Sequence, residues 1–152
     1  MSTMNNPFQR EDSQSNAHVG KDFENRIRLY FASQGINLVQ GFNMEIGING
    51  HKFHKFDFGD EHSKIIVECK SHRWTRGKSA PRAKMAEWNE AMFLFFAAPK
   101  DYRKILFVSR DYSTKKDETL ANYYVRTYSH LIPEGVEIWE FDEVKGAVEK
   151  VK

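Results

Sequence analysis

Apolar residues recur at intervals of three and four in three segments, which predicts three helices. The first is predicted over residues 19–34, because Gly35 stands where a C-terminal glycine cap belongs. The second begins at Pro81, a favourable first helical position, and the third ends near Pro133. The apolar stripes are Phe23, Ile27, Tyr30 and Phe31 in the first helix, Met85, Trp88, Met92, Phe95 and Phe96 in the second, and Leu120, Tyr124, Tyr128 and Leu131 in the third.

Segments rich in β-branched and aromatic residues predict strands. These segments are residues 36–42, 44–48, 52–58, 65–70, 105–108 and 136–141. Asn49-Gly50 predicts a type I′ hairpin because both residues tolerate positive φ, residues 59–63 predict a second turn, and a short terminal helix is expected from Glu143 onward. The order predicts an α/β fold, a mixed five-stranded sheet with an antiparallel meander and helices on both faces.

The length and composition fit one globular domain. A chain of 152 residues buries one core of ordinary size, so we expect a single active site. Hydrophobic residues make up 40% and charged residues 29%, as in an ordinary soluble protein. Residues 1–17 are polar, with Phe8 as their only large aromatic, which predicts a flexible tail before a single domain over residues 18–152.

No segment resembles a membrane or export signal. No apolar run reaches the roughly 18 residues of a transmembrane helix, and residues 1–20 lack the apolar core of a signal peptide. The single cysteine, Cys69, cannot form an internal disulfide and excludes a Cys-rich zinc site. We therefore expect a cytoplasmic protein that does not bind membranes.

A net charge of +2 does not by itself indicate a nucleic-acid-binding protein. A local basic loop follows the strand at 65–70, however, and contains no acidic residue. We expect it to contact DNA phosphates, with a merely solvated surface as the alternative. The expected contact residues are Arg73, Trp74, Arg76, Lys78 and Arg82, with His72 and Lys84 at the ends of the cluster.

The strand at 65–70 is apolar except for Glu68 and Lys70. An ionised group in a core costs several kcal/mol unless it is paired or bound to metal. Period-two alternation places both charges on one face with Ile66. If Asp57 lies opposite Ile66, Glu68 is its diagonal neighbour at about 7–8 Å. The alternative is that Glu68 and Lys70 form a solvent-facing pair.

Two carboxylates beside an ammonium predict phosphodiester chemistry. Asp57 and Glu68 provide hard oxygen ligands, which favour Mg²⁺ or Mn²⁺ over zinc. Lys70 would orient or help to deprotonate the attacking water, or stabilise charge in the transition state. Cys69, on the opposite face of the strand, is interpreted as core packing.

Lys55-Phe56-Asp57 followed by Ile66-Val67-Glu68-Cys69-Lys70 resembles the PD-(D/E)XK nuclease superfamily, although Phe56 stands where the motif name has proline. Residues 20–70 also resemble the catalytic domains of Mrr-like restriction and Holliday-junction-resolving enzymes. The resemblance implies a three-layer restriction-endonuclease-like sandwich. It also implies a site in which Asp57, Glu68 and the Cys69 backbone carbonyl bind metal, and in which Glu24, on the first helix, adds a further ligand or supports the ligands.

These observations predict a Mg²⁺-dependent nuclease that hydrolyses DNA and uses no organic cofactor, with Mn²⁺ as a substitute. Because one chain carries one site, double-strand cleavage would need a homodimer or two sequential nicks. The alternatives are a catalytically silent nuclease-fold module that binds nucleic acid or a partner protein, and an unrelated α/β domain. For Glu24, the alternative is a surface salt bridge to Arg28, four residues later.

Other polar residues are interpreted as solvated or structural. His51 and His54 are three apart on a strand and are expected on opposite faces, which argues against joint metal binding. His62 and His72 could contact phosphate, but loop histidines are more often solvated. Glu87, Asn89 and Glu90 are interpreted as a solvated helix flank, with contact of one of them with the metal site or a water as the alternative.

Overall fold

The computed structural model describes residues 7–152, with side chains described from Gly20 onward. The helices are α1 (Pro7–Ser33), α2 (Arg82–Ala97) and α3 (Leu120–Tyr128), the last followed by a 3-10 turn at Ser129–Leu131. The strands are β1 (Val39–Ile46), β2 (Lys52–Asp60), β3 (Ile65–Lys70), β4 (Arg103–Ser109), β5 (Tyr112–Ser113), β6 (Glu118–Thr119), β7 (Glu137–Asp142) and β8 (Ala147–Lys150).

The first helix begins earlier than predicted. The backbone of α1 is helical from Pro7, whereas the pattern of apolar residues placed the start at Val19. The polar residues before Val19 contain no glycine or proline after Pro7 that would interrupt a helix, so a helix can extend through them. Of the predicted tail, residues 1–6 lie outside the described residues, and residues 7–17 belong to α1.

The main sheet has six strands in the order β1-β2-β3-β4-β7-β8. β1, β2 and β3 form an antiparallel meander, β3, β4 and β7 are parallel, and β8 is antiparallel to β7. β5 and β6 form a separate two-stranded ribbon. The predicted α/β class and mixed sheet are confirmed, but the predicted strand number of five is wrong.

Three local predictions differ from the structure. The segment after Glu143 forms β8 instead of a helix, since the turn before it closes at Gly146 (φ 70°) and the returning chain pairs with β7. The two strands predicted at residues 36–42 and 44–48 are replaced by one strand, β1, over Val39–Ile46. The hairpin between β1 and β2 is present, but Ile46 pairs with Lys52, which leaves a five-residue loop at residues 47–51 and no type I′ turn.

The sheet separates two apolar clusters. α1 packs on one face through Phe23, Ile27 and Phe31, against residues that include Val67 and Phe107. α2 and α3 pack on the other face, where the cluster includes Ile66, Met85, Trp88, Leu106, Tyr124 and Ile138. The expectation of helices on both faces is therefore confirmed. Phe96 leaves the predicted stripe of α2, since it points away from the sheet and is 62% exposed.

The alternation of side chains inverts in the middle of β1 and β2. Phe42 and Phe56 pair across the two strands and pack on the α2 face, whereas Phe58, two residues after Phe56, packs on the α1 face. Regular alternation would put both phenylalanines of β2 on one face. The inversion falls at Asp57 and, on β1, at Gly41, whose φ of 65° favours glycine.

Candidate active site

Asp57 lies where β2 separates from β3. The paired residues of these strands run from Asp60↔Ile65 to Phe58↔Val67, and Asp57 is the next residue of β2. Its Oδ2 accepts a hydrogen bond of 2.8 Å from the backbone N–H of Cys69. A side-chain oxygen thus takes the place of the strand carbonyl that would satisfy this N–H in a continuing ladder.

The predicted register between Asp57 and Ile66 is wrong. Ile66 pairs with Gly59, because β2 continues to Asp60 and the turn spans residues 61–64, further along than predicted. Asp57 is therefore brought beside Glu68 instead of diagonally across from it, and its charge acts on the Glu68 carboxyl. The two predicted acidic residues lie closer together than the sequence suggested.

Glu68 is buried on the α2 face of β3, with 6% of its surface exposed. Burial and the neighbouring charge of Asp57 raise the pKa of Glu68 from 4.5 to about 9. The folded protein therefore favours the protonated form of the Glu68 carboxyl at neutral pH. Its Oε1 also lies 3.4 Å from His54 Nε2. The alternative of a solvent-facing Glu68–Lys70 pair is thereby excluded.

Glu24 belongs to the same site. It lies on α1 and lines a cavity of about 250 Å³ together with Asp57 and Lys70. Burial, followed by the charge of Asp57, raises the pKa of Glu24 above its usual value. Arg28 donates to Asn25 Oδ1 at 2.7 Å instead of pairing with Glu24. The alternative of a surface salt bridge is not seen.

The cavity lies between α1, β3 and the first turns of α2. Its remaining lining residues are Gly20, Phe23, Cys69, Ser71, His72 and Glu87. The Lys70 side chain is only 20% exposed, and its Nζ lies 4.0 Å from Glu87 Oε1. Glu68 and Lys70 share one face of β3, as predicted, and α2 covers that face, while Glu24 approaches from α1. Asp57 contributes to the charge around both glutamates.

The site carries an excess of negative charge that a cation would relieve. Among the residues with described side chains, no group of three or more His, Cys, Asp or Glu side chains is arranged to hold a metal ion. Asp57 and Glu68 nevertheless lie side by side, and a bound cation would favour the ionised form of Glu68, which burial and the charge of Asp57 oppose. This donor set fits Mg²⁺, which is commonly held by one or two carboxylates, with water and phosphate as further ligands.

Cys69 contributes packing, as expected from the sequence. Its thiol is free and buried in the α1-facing cluster. Burial, together with the neighbouring carboxylates, raises the pKa of this thiol well above its usual range. A thiolate nucleophile is disfavoured in this position.

Two residues of the predicted phosphate-binding set have structural contacts. Trp74 is 8% exposed and packs in the α2-facing cluster, and its indole N–H donates to the Asp111 carbonyl at 2.9 Å. The Arg73 guanidinium pairs with Glu143 at 2.8 Å and with Asp111 at 3.8 Å. We therefore correct the predicted set, since Trp74 is occupied in the core and Arg73 ties the loop to neighbouring acidic residues.

Arg76, Lys78 and Arg82 remain exposed on this loop and at the start of α2. Arg82 and Lys116 line a cleft of about 510 Å³ together with Trp74 and Tyr123. In the described part of the chain, no carboxylate oxygen lies within 4.0 Å of the cationic groups of Lys78, Arg82 or Lys116. These three cations are available to an external anion.

The sequence interpretation gave His54 no role in the site, and it treated contacts of Glu87 and His72 with the site as the less favoured alternatives. His54 precedes Phe56 by one strand period, so its contact with Glu68 was available from the alternation on β2. Glu87 precedes the buried Trp88 on the helix that covers Lys70, but nothing in the pattern distinguished it from a solvated residue. His72 accepts a hydrogen bond from Trp88 across sixteen residues, a contact that depends on tertiary structure.

Comparisons with known proteins identify no relative of this chain. No protein-family model, curated protein or solved structure matches this chain. Within the part of the chain that the structure describes, no helix combines the length and apolar character needed to cross a membrane.

Proposed function

We propose that this protein is a Mg²⁺-dependent nuclease of the PD-(D/E)XK type, which hydrolyses DNA phosphodiester bonds at the site formed by Asp57, Glu68 and Lys70. The observation that carries the proposal is the position of Asp57 beside the buried Glu68, where burial and the charge of Asp57 raise the pKa of Glu68 to about 9. The Cys69 N–H accounts for one acceptor at Asp57 but not for a second carboxyl buried beside it, because a buried carboxyl weakens the fold unless it is compensated.

The arrangement of layers supports the same proposal. α1 covers one face of the mixed sheet, and α2 and α3 cover the other, as expected for the restriction-endonuclease-like sandwich. The carboxylates come from β2, β3 and α1, which are three separate elements of that arrangement. Asp57 stands at the point where two strands diverge, so its side chain is held by the backbone of the next strand.

In this proposal Asp57, Glu68 and the backbone carbonyl of Cys69 bind the cation, and Glu24 assists from α1. A bound Mg²⁺ would lower the pKa of a coordinated water and neutralise charge on the phosphate. With the metal bound, a water oxygen would form the new bond to phosphorus as the bond from phosphorus to the leaving oxygen breaks. The water proton would pass to solvent, and the leaving oxygen would take up a proton from solvent. The Lys70 ammonium offsets the negative charge that builds up on the phosphoryl oxygens.

Lys78, Arg82 and Lys116 are proposed to hold the DNA backbone at some distance from the cleaved bond. They are free of carboxylate partners among the described residues and lie beyond the strand that carries Lys70. Cations of this kind supply affinity without sequence preference. Arg73 and Trp74 position the loop that carries Lys78.

A nuclease-fold module that binds nucleic acid without cutting it is the second candidate. The observation in its favour is that no three acidic or histidine side chains with described positions are arranged around one ion. Such a module would bind DNA through its basic residues and would not need Mg²⁺. The two candidates therefore differ in metal binding as well as in cleavage.

The test combines calorimetric titration of the purified protein with Mg²⁺ or Mn²⁺ and incubation with plasmid DNA. We expect metal binding, nicking or linearisation in the presence of the metal, and loss of metal binding in Asp57→Asn and Glu68→Gln. DNA binding without metal binding or cleavage would favour the silent module. Absence of metal binding and DNA binding would contradict both candidates.

A further inference from the structure

His72 is held by a buried tryptophan at the edge of the active-site cavity. Trp88 Nε1 donates a hydrogen bond of 2.9 Å to His72 Nδ1. The Trp88 indole is fully buried and packs edge-on against Tyr124 at 4.9 Å between ring centroids. Tyr124 is itself fixed, since its hydroxyl donates to Asn89 Oδ1 at 2.8 Å. The direction of the indole N–H is thus determined by packing around it.

This hydrogen bond decides where the proton of the His72 ring lies. An indole N–H is only a donor, so His72 Nδ1 must accept and cannot carry a hydrogen. A neutral imidazole with an unprotonated Nδ1 carries its hydrogen on Nε2. Burial lowers the pKa of His72, and Lys70 and Lys84 act in the same direction, while Glu87 opposes them. The ring is therefore a neutral Nε2–H donor at physiological pH.

The Nε2–H group and the Lys70 ammonium approach the same oxygen. Glu87 Oε1 lies 3.9 Å from His72 Nε2 and 4.0 Å from Lys70 Nζ. Neither separation is a hydrogen bond, and within the described part of the chain His72 Nε2 has no closer acceptor. Glu87 is 47% exposed and its other oxygen lies 3.8 Å from Lys84 Nζ, so its carboxylate can move towards Lys84 without losing a cationic partner.

We propose that His72 Nε2–H and the Lys70 ammonium form a two-donor site for one non-bridging oxygen of a phosphodiester, in the place that Glu87 Oε1 now marks. The proposal rests on the proposed function and adds a named residue to it. His72 acts as a hydrogen-bond donor and not as a general acid, because loss of its Nε2 proton would leave an anionic ring. Glu87 occupies the site in the absence of substrate and is displaced by the phosphate.

The first test is made without metal or DNA. NMR spectra of the full chain labelled with ¹⁵N-histidine should give His72 as the neutral Nε2–H tautomer at pH 7. Titration with inorganic phosphate should shift the Nε2 signal of His72 and leave that of the exposed His62 unchanged. Glu87→Gln should strengthen this phosphate response several-fold, because the competing anion is removed. A protonated ring, an Nδ1–H tautomer or an absent phosphate response would overturn the proposal.

The second test uses Mg²⁺-dependent cleavage of plasmid DNA. His72→Phe should lower kcat by about 10²- to 10³-fold, the loss typical of a removed oxyanion donor. His72→Gln should recover at least about tenfold of that loss, because the glutamine N–H can replace Nε2–H. His62→Phe is the matched control and should cut at the unmutated rate.

Equal activity of His72→Phe and the unmutated protein would overturn the two-donor site. Equal defects in His72→Phe and His72→Gln would assign His72 a purely structural role and would also overturn the two-donor site. If the unmutated protein cuts no DNA, the proposed function fails, and the phosphate titration still decides whether the anion site exists.

Discussion

The carboxylate of Asp57 holds the backbone N–H of Cys69 at 2.8 Å, at the point where β2 and β3 part. Because this contact needs an acceptor oxygen but not a charge, the structural role of Asp57 and the role of its charge can be tested separately. Asp57→Asn keeps a carbonyl oxygen that can accept the bond, so its thermal unfolding should remain close to that of the parent. Its affinity for Mg²⁺ in calorimetry should nevertheless fall, because a charged ligand oxygen is lost.

Asp57→Ala is the contrasting variant. It leaves the Cys69 N–H without an acceptor beside a buried strand, which typically costs about 1–3 kcal/mol. We expect a lower midpoint in chemical denaturation than for Asp57→Asn, together with a similar loss of metal affinity. Equal stability of the two variants would mean that the hydrogen bond contributes nothing to the fold.

The second prediction concerns the separation of metal binding from the chemical step. Lys70→Ala should cut DNA about 10²- to 10⁴-fold more slowly under saturating Mg²⁺, while calorimetry finds metal binding retained. Lys145→Ala is the matched control, because Lys145 is an exposed lysine that does not line the cavity. A folded Lys70→Ala protein that cuts at the parental rate would place the active site elsewhere.

The meander, the three main helices and the position of Glu68 and Lys70 on one face of β3 were predictable from the sequence, because they depend on local periodicity. The register of Asp57 was not, since it depends on the length of β2 and on where the turn at residues 61–64 closes. The positions of Trp74 and of the segment at β8 could not be predicted either. Both depend on partners distant in the chain, Asp111 and β7 respectively.

The third prediction concerns the pH dependence of stability at Glu140. This carboxyl is 2% exposed, and its Oε2 has no hydrogen-bond partner in the described part of the chain. Burial raises its pKa from 4.5, with Glu149 and Asp142 adding to the shift, while Thr119 and Arg110 oppose it. The folded state therefore prefers the protonated form.

A raised pKa in the folded state contributes stability that is complete below pH 4.5 and is lost as pH rises through the raised value. Glu140→Gln removes this loss because the amide does not ionise. The variant should therefore gain in Tm relative to the parent between pH 4.5 and pH 8. Glu134 is exposed, and Glu134→Gln is the control: its difference in Tm from the parent should be the same at pH 4.5 and at pH 8. A constant difference for Glu140→Gln would contradict the prediction.

The fourth prediction separates the cations that hold DNA from the one that holds the loop. Replacing Lys78, Arg82 and Lys116 by glutamine should flatten the salt dependence of DNA binding, by about 0.9 in logarithmic slope for each phosphate that is no longer neutralised. Arg73→Gln should leave this slope unchanged and lower stability by about 0.2–1 kcal/mol, as expected for half-exposed ion pairs. The reverse pattern, with Arg73 controlling the slope, would reject the division.

The last prediction concerns the backbone that presents Asp57. Gly41 has a φ of 65° at the point where the alternation of β1 inverts, and a Cβ there would lie 3.3 Å from the Lys55 side chain. Gly50, at the tip of the β1–β2 hairpin, has a φ of 85° and open space where a Cβ would lie. Alanine at either position forces an L-residue into the left-handed region, at a cost of about 1–2 kcal/mol.

Both Gly41→Ala and Gly50→Ala should therefore unfold at lower temperature. Only Gly41→Ala should also weaken Mg²⁺ binding and slow DNA cleavage, because the inversion at Gly41 positions the neighbouring strand at Asp57. Equal losses of metal affinity in the two variants would show that the inversion at Gly41 does not position Asp57.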